Sequence, residues 1–182
     1  QASGPSQAEV NILLAQYENG HYAAAEKLAV AMTQKYPSDQ FGWKVLGAVL
    51  SALGKQQDAV MASQKAVDLV PNEAEARSNL GLVLHDLGRL AEAEASYRQA
   101  ISLKPEYAKA HYNLGITLKD LARFGEAWHS VVASIRMKPT AEAKKSFVNV
   151  SRYLVPKSWD TAWSEMLISA LIEPWDRPSN VM

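Results

Sequence analysis

Pro37, Pro71, Pro105 and Pro139 follow one another at intervals of 34 residues. A period that long and that regular marks one supersecondary unit copied several times, each copy needing its neighbour to bury its apolar face. The segments before the prolines align without a gap. Ile12, Leu46, Leu80 and Leu114 share one phase, and beside them stand Leu13, Gly47, Gly81 and Gly115. Ala25, Ala59, Ala93 and Ala127 share a second phase, and Met32, Ala66, Ala100 and Ser134 a third. Gly20, Gly54 and Gly88 punctuate the first three copies, with Ala122 at that place in the fourth.

Each copy reads as two helices. In the copy 40–73, Trp43, Leu46, Gly47 and Leu50 follow the i, i+3, i+4, i+7 spacing of one helix face. Gly54 suits the left-handed residue that closes a helix. A second helix follows with Ala59, Met61, Ala62 and Ala66, and Pro71 stops it, since proline disfavours helical geometry in the residue before it. Ser6 with Glu9, and Asn72 with Glu75, have the spacing of a capping box. The small residues predict a close crossing of the two helices: Gly47, Gly81 and Gly115 on the first, Ala59, Ala93 and Ala127 on the second. A larger side chain there would overpack it, at a typical cost of about 1–3 kcal/mol. A left-handed backbone at Ala122 would carry about 1–2 kcal/mol of strain.

The run Trp43-Leu46-Gly47-Leu50-Gly54-Ala59-Pro71 resembles the tetratricopeptide repeat, and the pattern recurs in four copies over residues 6–139. The resemblance implies an all-α solenoid: antiparallel helix pairs stacked into a right-handed superhelix with a concave inner face. Residues 1–5 precede the first copy as an N-terminal extension. Beyond Pro139 the register returns after a two-residue shift, with Phe147, Val150, Ser151 and Leu154 in the four core positions. Val155-Pro156 ends that helix, Ser158 caps another, and Trp163, Leu167, Ala170 and Leu171 form its apolar stripe, with Trp159 one turn earlier. Residues 140–173 therefore read as a degenerate fifth repeat or an unrelated capping pair of helices, and 174–182 as a tail whose Trp175 packs back. The sequence stops without an obvious domain end.

At about 100° per residue, four positions of the first helix point away from its partner. The resemblance assigns this side to the concave groove. The first copy places Gln7, Asn11, Leu14 and Glu18 there, the third Glu75, Asn79, Leu82 and Asp86, and the fourth Lys109, Asn113, Ile116 and Asp120. The shifted copy supplies Lys145, Asn149 and Arg152. An asparagine amide both donates and accepts, so it can bond the C=O and N–H of an extended peptide. Repeats roughly 10 Å apart would meet a strand rising about 3.3 Å per residue at every third residue. Leu82 and Ile116 would then take apolar side chains, and Asp86 and Asp120 would accept bonds from hydroxyls or cations. This stripe is similar to the inner face of the repeat domain of O-linked N-acetylglucosamine transferase, where asparagines hold substrate polypeptide. A solvent-facing consensus asparagine would leave the same pattern. The second copy breaks the series with Phe41, Val45, Ala48 and Ala52: either a pocket for a partner's side chain or a surface covered by the chain's own N-terminal segment. The carboxylate-clamp arrangement of lysines, asparagine and arginine is not met, since Lys109 and scattered asparagines are all that fit.

No phosphate-binding glycine loop, H-E-x-x-H or G-x-S-x-G occurs. His111 sits at a core position of its helix and reads as packed rather than ligating. His85 beside Asp86 lacks a nucleophile in register, Glu92 and Glu94 fall on the outer side, and Lys144, Lys145, Arg152 and Lys157 read as a solvated face. There is no cysteine, which removes disulfides and thiolate metal sites. Nineteen basic and nineteen acidic residues leave no net charge, which argues against nucleic acid as the partner. No apolar run reaches the roughly 18 residues of a membrane span, and Gln1–Ser6 has no leader character, so the expected location is cytoplasmic. The expectation is a scaffold without cofactor, metal or catalytic activity. It would bind a peptide or protein, as the substrate-recruiting part of a larger protein, a glycosyltransferase, sulfotransferase or methyltransferase domain being what commonly follows such arrays. The alternative is self-assembly through the terminal helices, with Trp159, Trp163 and Trp175 near the C-terminus forming the surface.

Overall fold

The computed structural model describes residues 4–153, and these are helical throughout apart from short turns. Nine helices are found among them: α1 (Gln7–Glu18), α2 (Tyr22–Lys35), α3 (Gln40–Ala52), α4 (Gln56–Leu69), α5 (Ala74–Asp86), α6 (Leu90–Leu103), α7 (Ala108–Asp120), α8 (Phe124–Met137) and α9 (Ala141–Ser151). The chain divides into two compact units, Gln1–Lys104 and Pro105–Met182. The first holds α1–α6 as three hairpins, and the second holds the hairpin α7–α8 followed by α9. Leu154 and the expected second helix of the shifted copy, with Trp159, Trp163 and Trp175, lie outside the described residues.

Each hairpin closes on one contact. An added Cβ at Gly81 would lie 2.8 Å from the ring of Tyr97, and at Gly115 2.6 Å from a methyl of Val131 and 3.2 Å from the Ala127 carbonyl. At Gly47 it would collide with the hydroxyl of Ser63. The opposing residues are one position, repeated every 34 residues, and range from serine to tyrosine. In the first hairpin the sizes are exchanged: Leu13 holds the glycine's place, Ala29 stands at the opposing position, and both are fully buried. With a leucine in that place, α1 and α2 approach each other less closely than the helices of the other hairpins.

The turns repeat as closely. Gly20, Gly54 and Gly88 have φ of 75°, 75° and 78°, and Ala122 has 57°. In the fourth hairpin the N–H of Ala122 donates to Lys119 O (2.9 Å) and that of Arg123 to Leu118 O (2.8 Å). The glycine turns make the same pair, as in Gly54 N to Ser51 O (3.0 Å) and Lys55 N to Leu50 O (2.9 Å). The Schellman closure is thus made with an alanine that bears the left-handed strain.

A second recurring bond ties each helix to the preceding proline turn. Trp43 Nε1 donates to Pro37 O (3.0 Å), Arg77 Nε to Pro71 O (2.9 Å), and His111 Nε2 lies 2.9 Å from Pro105 O. His111 is therefore half-buried and tethered rather than packed in the core. In the first copy the position belongs to Glu9, which completes the expected capping box with Ser6 and pairs with Lys35 at 2.8 Å.

Three further expectations change. Ile12 is 55% exposed, whereas its equivalent Leu46 is 7% exposed. α3 and α5 have α2 and α4 packed against them, and among the described residues no helix precedes α1. Met61 points outward at 65% exposure, because the buried stripe of α4 runs through Ala59, Ala62, Ser63 and Ala66. The Asn72 box does not form: Glu73 occupies the cap position of α5 without a side-chain bond, and Glu75 lies 3.2 Å from Lys44. Asp39 and Thr140, conversely, cap α3 and α9 through their side chains.

Replacing Ala122 with glycine relieves the strain at some cost in chain entropy, so Ala122→Gly should stabilise the protein by about 1 kcal/mol, seen as a raised urea midpoint. The Lys35 ammonium, and next the Ser6 N–H, lower the Glu9 carboxyl from 4.5 to about 2. A depressed carboxyl stabilises the fold above its unfolded value and loses that contribution as the pH falls through its folded value. Glu9→Gln should therefore flatten the loss of stability between pH 4.5 and 2 in denaturant titrations.

Candidate peptide-binding faces

The positions expected to bind lie on the first helix of each hairpin, and each unit has its own set. In the first unit α5 presents it most fully. Leu80, Gly81, Val83 and Leu84 face inward, while Glu75, Leu82 and Asp86 are exposed and Asn79 is half-buried. α3 lies alongside: Ser51 Oγ is 3.5 Å from Asp86, and Lys44 Nζ reaches Glu73 at 3.0 Å and Glu75 at 3.2 Å. Burial opposes the Lys44 ammonium, but the two carboxylates outweigh it and raise its pKa. His85 Nδ1 stands 3.7 Å from Asp86, too far for the hydrogen bond a base and its orienter would need.

The apolar interruption on α3 is drawn inward. Val45 is 9% exposed and belongs to the core with Leu13, Ala29, Leu46 and Val49, and Leu14, Tyr17 and Phe41 pack against that core. Phe41 and Ala48 stay half-buried and Ala52 exposed. The strip is thus partly drawn into the core, and Phe41, Ala48 and Ala52 keep accessible surface. On α1, Asn11 is exposed, with its Oδ1 accepting a bond from Gln7 at 2.8 Å.

In the second unit, α7 carries Lys109 and Asp120 exposed and Asn113 and Ile116 half-buried. Lys119 lies 3.1 Å from Asp120. Asn113 Nδ2 is buried without a hydrogen-bond partner among the described residues. α9 packs on α8 through Phe147, which shares a core with Val131, Val132, Ile135 and Ala143, and meets α7 through Ser146, 3.4 Å from the Tyr112 hydroxyl. Lys145, Asn149 and Arg152 are exposed on α9 and at its end. Lys157, the fourth member of the basic cluster, lies outside the described residues.

Amides, carboxylates and small apolar patches stand on helices fixed by their hairpins, and the first unit's stripe is acidic while that of α7 and α9 is mainly basic. Among the described residues no cluster of histidine and carboxylate groups could hold a metal ion, and no helix is long and apolar enough to cross a membrane.

Residues 83–121 match the family model described as TPR repeat. No sequence among the curated proteins matches. Solved structures share the fold over most of the chain. MamA 41-end from Desulfovibrio magneticus RS-1 is 19% identical, over 91% of this chain and 93% of that one, with a TM-score of 0.75. TTC0263, a thermophilic TPR protein of Thermus thermophilus, is 17% identical, over 91% and 97%, with a TM-score of 0.73. The first TPR of Spaghetti (RPAP3), solved with the HSP90 peptide SRMEEVD, is 23% identical, over 63% and 92%, with a TM-score of 0.61. The likeness is one of fold, and the fold is the all-α tetratricopeptide one.

A buried donor without a partner costs about 1–3 kcal/mol. Asn113→Leu should accordingly leave the fold intact and raise its stability by about 1 kcal/mol, read from the thermal midpoint.

Proposed function

From a chain with the fold of tetratricopeptide proteins, we infer a protein–protein interaction scaffold whose units hold extended peptide on the exposed stripe of each hairpin's first helix. The observation that carries this reading is Asn113. Its amide sits in the middle of the stripe of α7 with its N–H₂ group buried and, among the described residues, unsatisfied, an arrangement that costs stability and that a peptide carbonyl would repair. The χ2 torsion of asparagine is broad, so the amide can turn toward a bound strand at little cost. Asn79 holds the equivalent place on α5, between exposed Glu75 and exposed Leu82. Bonds from such amides fall on peptide backbone and are indifferent to sequence. Selectivity then comes from Leu82 and Ile116, which offer apolar contact, and from Asp86, Asp120 and Lys109, which read charge. RPAP3 with its bound peptide gives a precedent for the fold in this role.

The similarity of the asparagine stripe to that of O-linked N-acetylglucosamine transferase extends the proposal to substrate capture for chemistry carried out elsewhere in a larger protein. The mass of the native gene product, detected with an antibody to residues 6–139, tests that extension. A product no larger than these 182 residues would remove it and leave a free-standing adaptor.

The binding itself is tested with peptides selected from a random library on the purified chain and titrated by calorimetry. Asn79→Ala with Asn113→Ala should weaken them by about 0.5–1.5 kcal/mol for each lost bond, with helix content unchanged. Equal affinity for the double variant would defeat the asparagine reading.

A further inference from the structure

The groups left without partners on the second unit's stripe are donors. Lys109 on α7, and Lys145 and Arg152 on α9 and at its end, are exposed, and none of the three forms an ion pair among the described residues. One turn along from Lys109, Asn113 holds a buried Nδ2 without a hydrogen-bond partner among the described residues. An ammonium or a guanidinium can only donate, so whatever completes this face must bring acceptors. The unit's own carboxylates do not supply them. Asp120 lies 3.1 Å from Lys119, and Glu126 lies 2.7 Å from Arg123. Glu106 and Glu142 are exposed three residues before Lys109 and Lys145, and among the described residues they pair with neither.

The imbalance is wider than the stripe. Residues 105–153 hold eight basic and four acidic side chains, and residues 154–182 hold two basic and four acidic. The sequence beyond α9 thus brings half of the negative charge that would neutralise the unit. Nor does the exposure of Lys145 and Arg152 follow from α9 being the last described helix. Glu75 and Leu82 hold the equivalent places on α5, and they are exposed with helices before and after them in the chain.

We propose that α7 and α9 hold an internal acidic segment of a partner protein, with carboxylates three residues apart. The proposal rests on the peptide-holding stripe inferred above and names the class of peptide this unit takes. Packed helices lie roughly 8–10 Å apart. A segment in polyproline II geometry returns every third side chain to the same side, about 9 Å further on. Two carboxylates so spaced would meet Lys109 on one helix and Lys145 on the next, while Asn113 donates to a backbone carbonyl between them. Arg152 stands about 10 Å along α9 from Lys145. Cations spread in this way fit a row of side-chain carboxylates rather than the single carboxylate of a chain end.

The test uses the full chain and two fluorescent peptides, acetylated and amidated at their ends, one with glutamate at every third residue and one with glutamine in its place. In anisotropy titrations the glutamate peptide should bind about tenfold more tightly, since exposed charge pairs are worth a few-fold each. The difference should vanish as salt approaches about 1 M. Lys145→Gln with Arg152→Gln should remove it too, leaving the glutamine peptide's affinity and the circular dichroism spectrum unchanged. Lys65→Gln, at an exposed cation on α4, should alter neither peptide. Equal affinity for the two peptides, or a difference that survives the double variant, overturns the acidic preference. If library-selected peptides still bind in that case, the asparagine stripe stands without it; if no peptide binds, both fail. A wild-type chain that ignores the glutamate peptide, while Glu173→Gln with Asp176→Asn binds it, also overturns the proposal, because the occupant would then be the chain's own C-terminal residues.

Discussion

The hairpins depend on how closely two helices can approach at one point. Where Gly81 faces Tyr97 and Gly115 faces Val131, the crossing leaves no room for another carbon. Burying each such side chain is worth roughly 1.5–3 kcal/mol, and the glycine opposite, itself a poor helix former by about 1 kcal/mol, is tolerated because it permits that contact. The exposed stripe is a by-product of the same geometry. Once Leu80, Gly81 and Leu84 are committed to the partner helix, Glu75, Leu82 and Asp86 are left facing outward on a fixed backbone.

The architecture was legible because its signals are backbone signals. A glycine at φ near 75° and a proline after each second helix constrain the chain locally, and their 34-residue recurrence needs no knowledge of tertiary contacts. Even the strained alanine was visible as the one turn lacking glycine. Less visible were features in which different residues do one job. Trp43, Arg77 and His111 all bond the carbonyl of the proline six residues back, yet they share neither charge nor shape, so the sequence suggested a core histidine at 111. Asn72 carried the right spacing for a cap, but Lys44, on the neighbouring first helix and 29 residues from Glu73, drew Glu73 and Glu75 into ion pairs instead.

The candidate faces were legible as positions and not as environments. Helical periodicity placed Asn79, Leu82, Asp86, Asn113 and Asp120 on outward stripes, where Leu82, Asp86 and Asp120 are exposed and Asn79 and Asn113 half-buried. It could not show that Val45 would be drawn into the core with Leu13, or that Asn113 would lose its solvent without gaining a bond. Both depend on neighbouring helices. The open side of α1 was missed for a related reason: Ile12 aligns with three buried leucines, and alignment assumes that every copy has the same neighbours.

The exchange of sizes between Leu13 and Ala29 on one side, and Gly81 and Tyr97 on the other, bears on how such a chain can grow. A first helix carrying leucine would collide with a second helix carrying tyrosine, and one carrying glycine would leave a void against alanine. The two halves of the first hairpin are therefore not interchangeable with those of the other three. Duplication, deletion or recombination within this chain preserves packing when its breakpoints fall in the proline turns and the hairpin is inherited whole. A breakpoint at a glycine turn that joined half of the first hairpin to half of another would pair mismatched sizes.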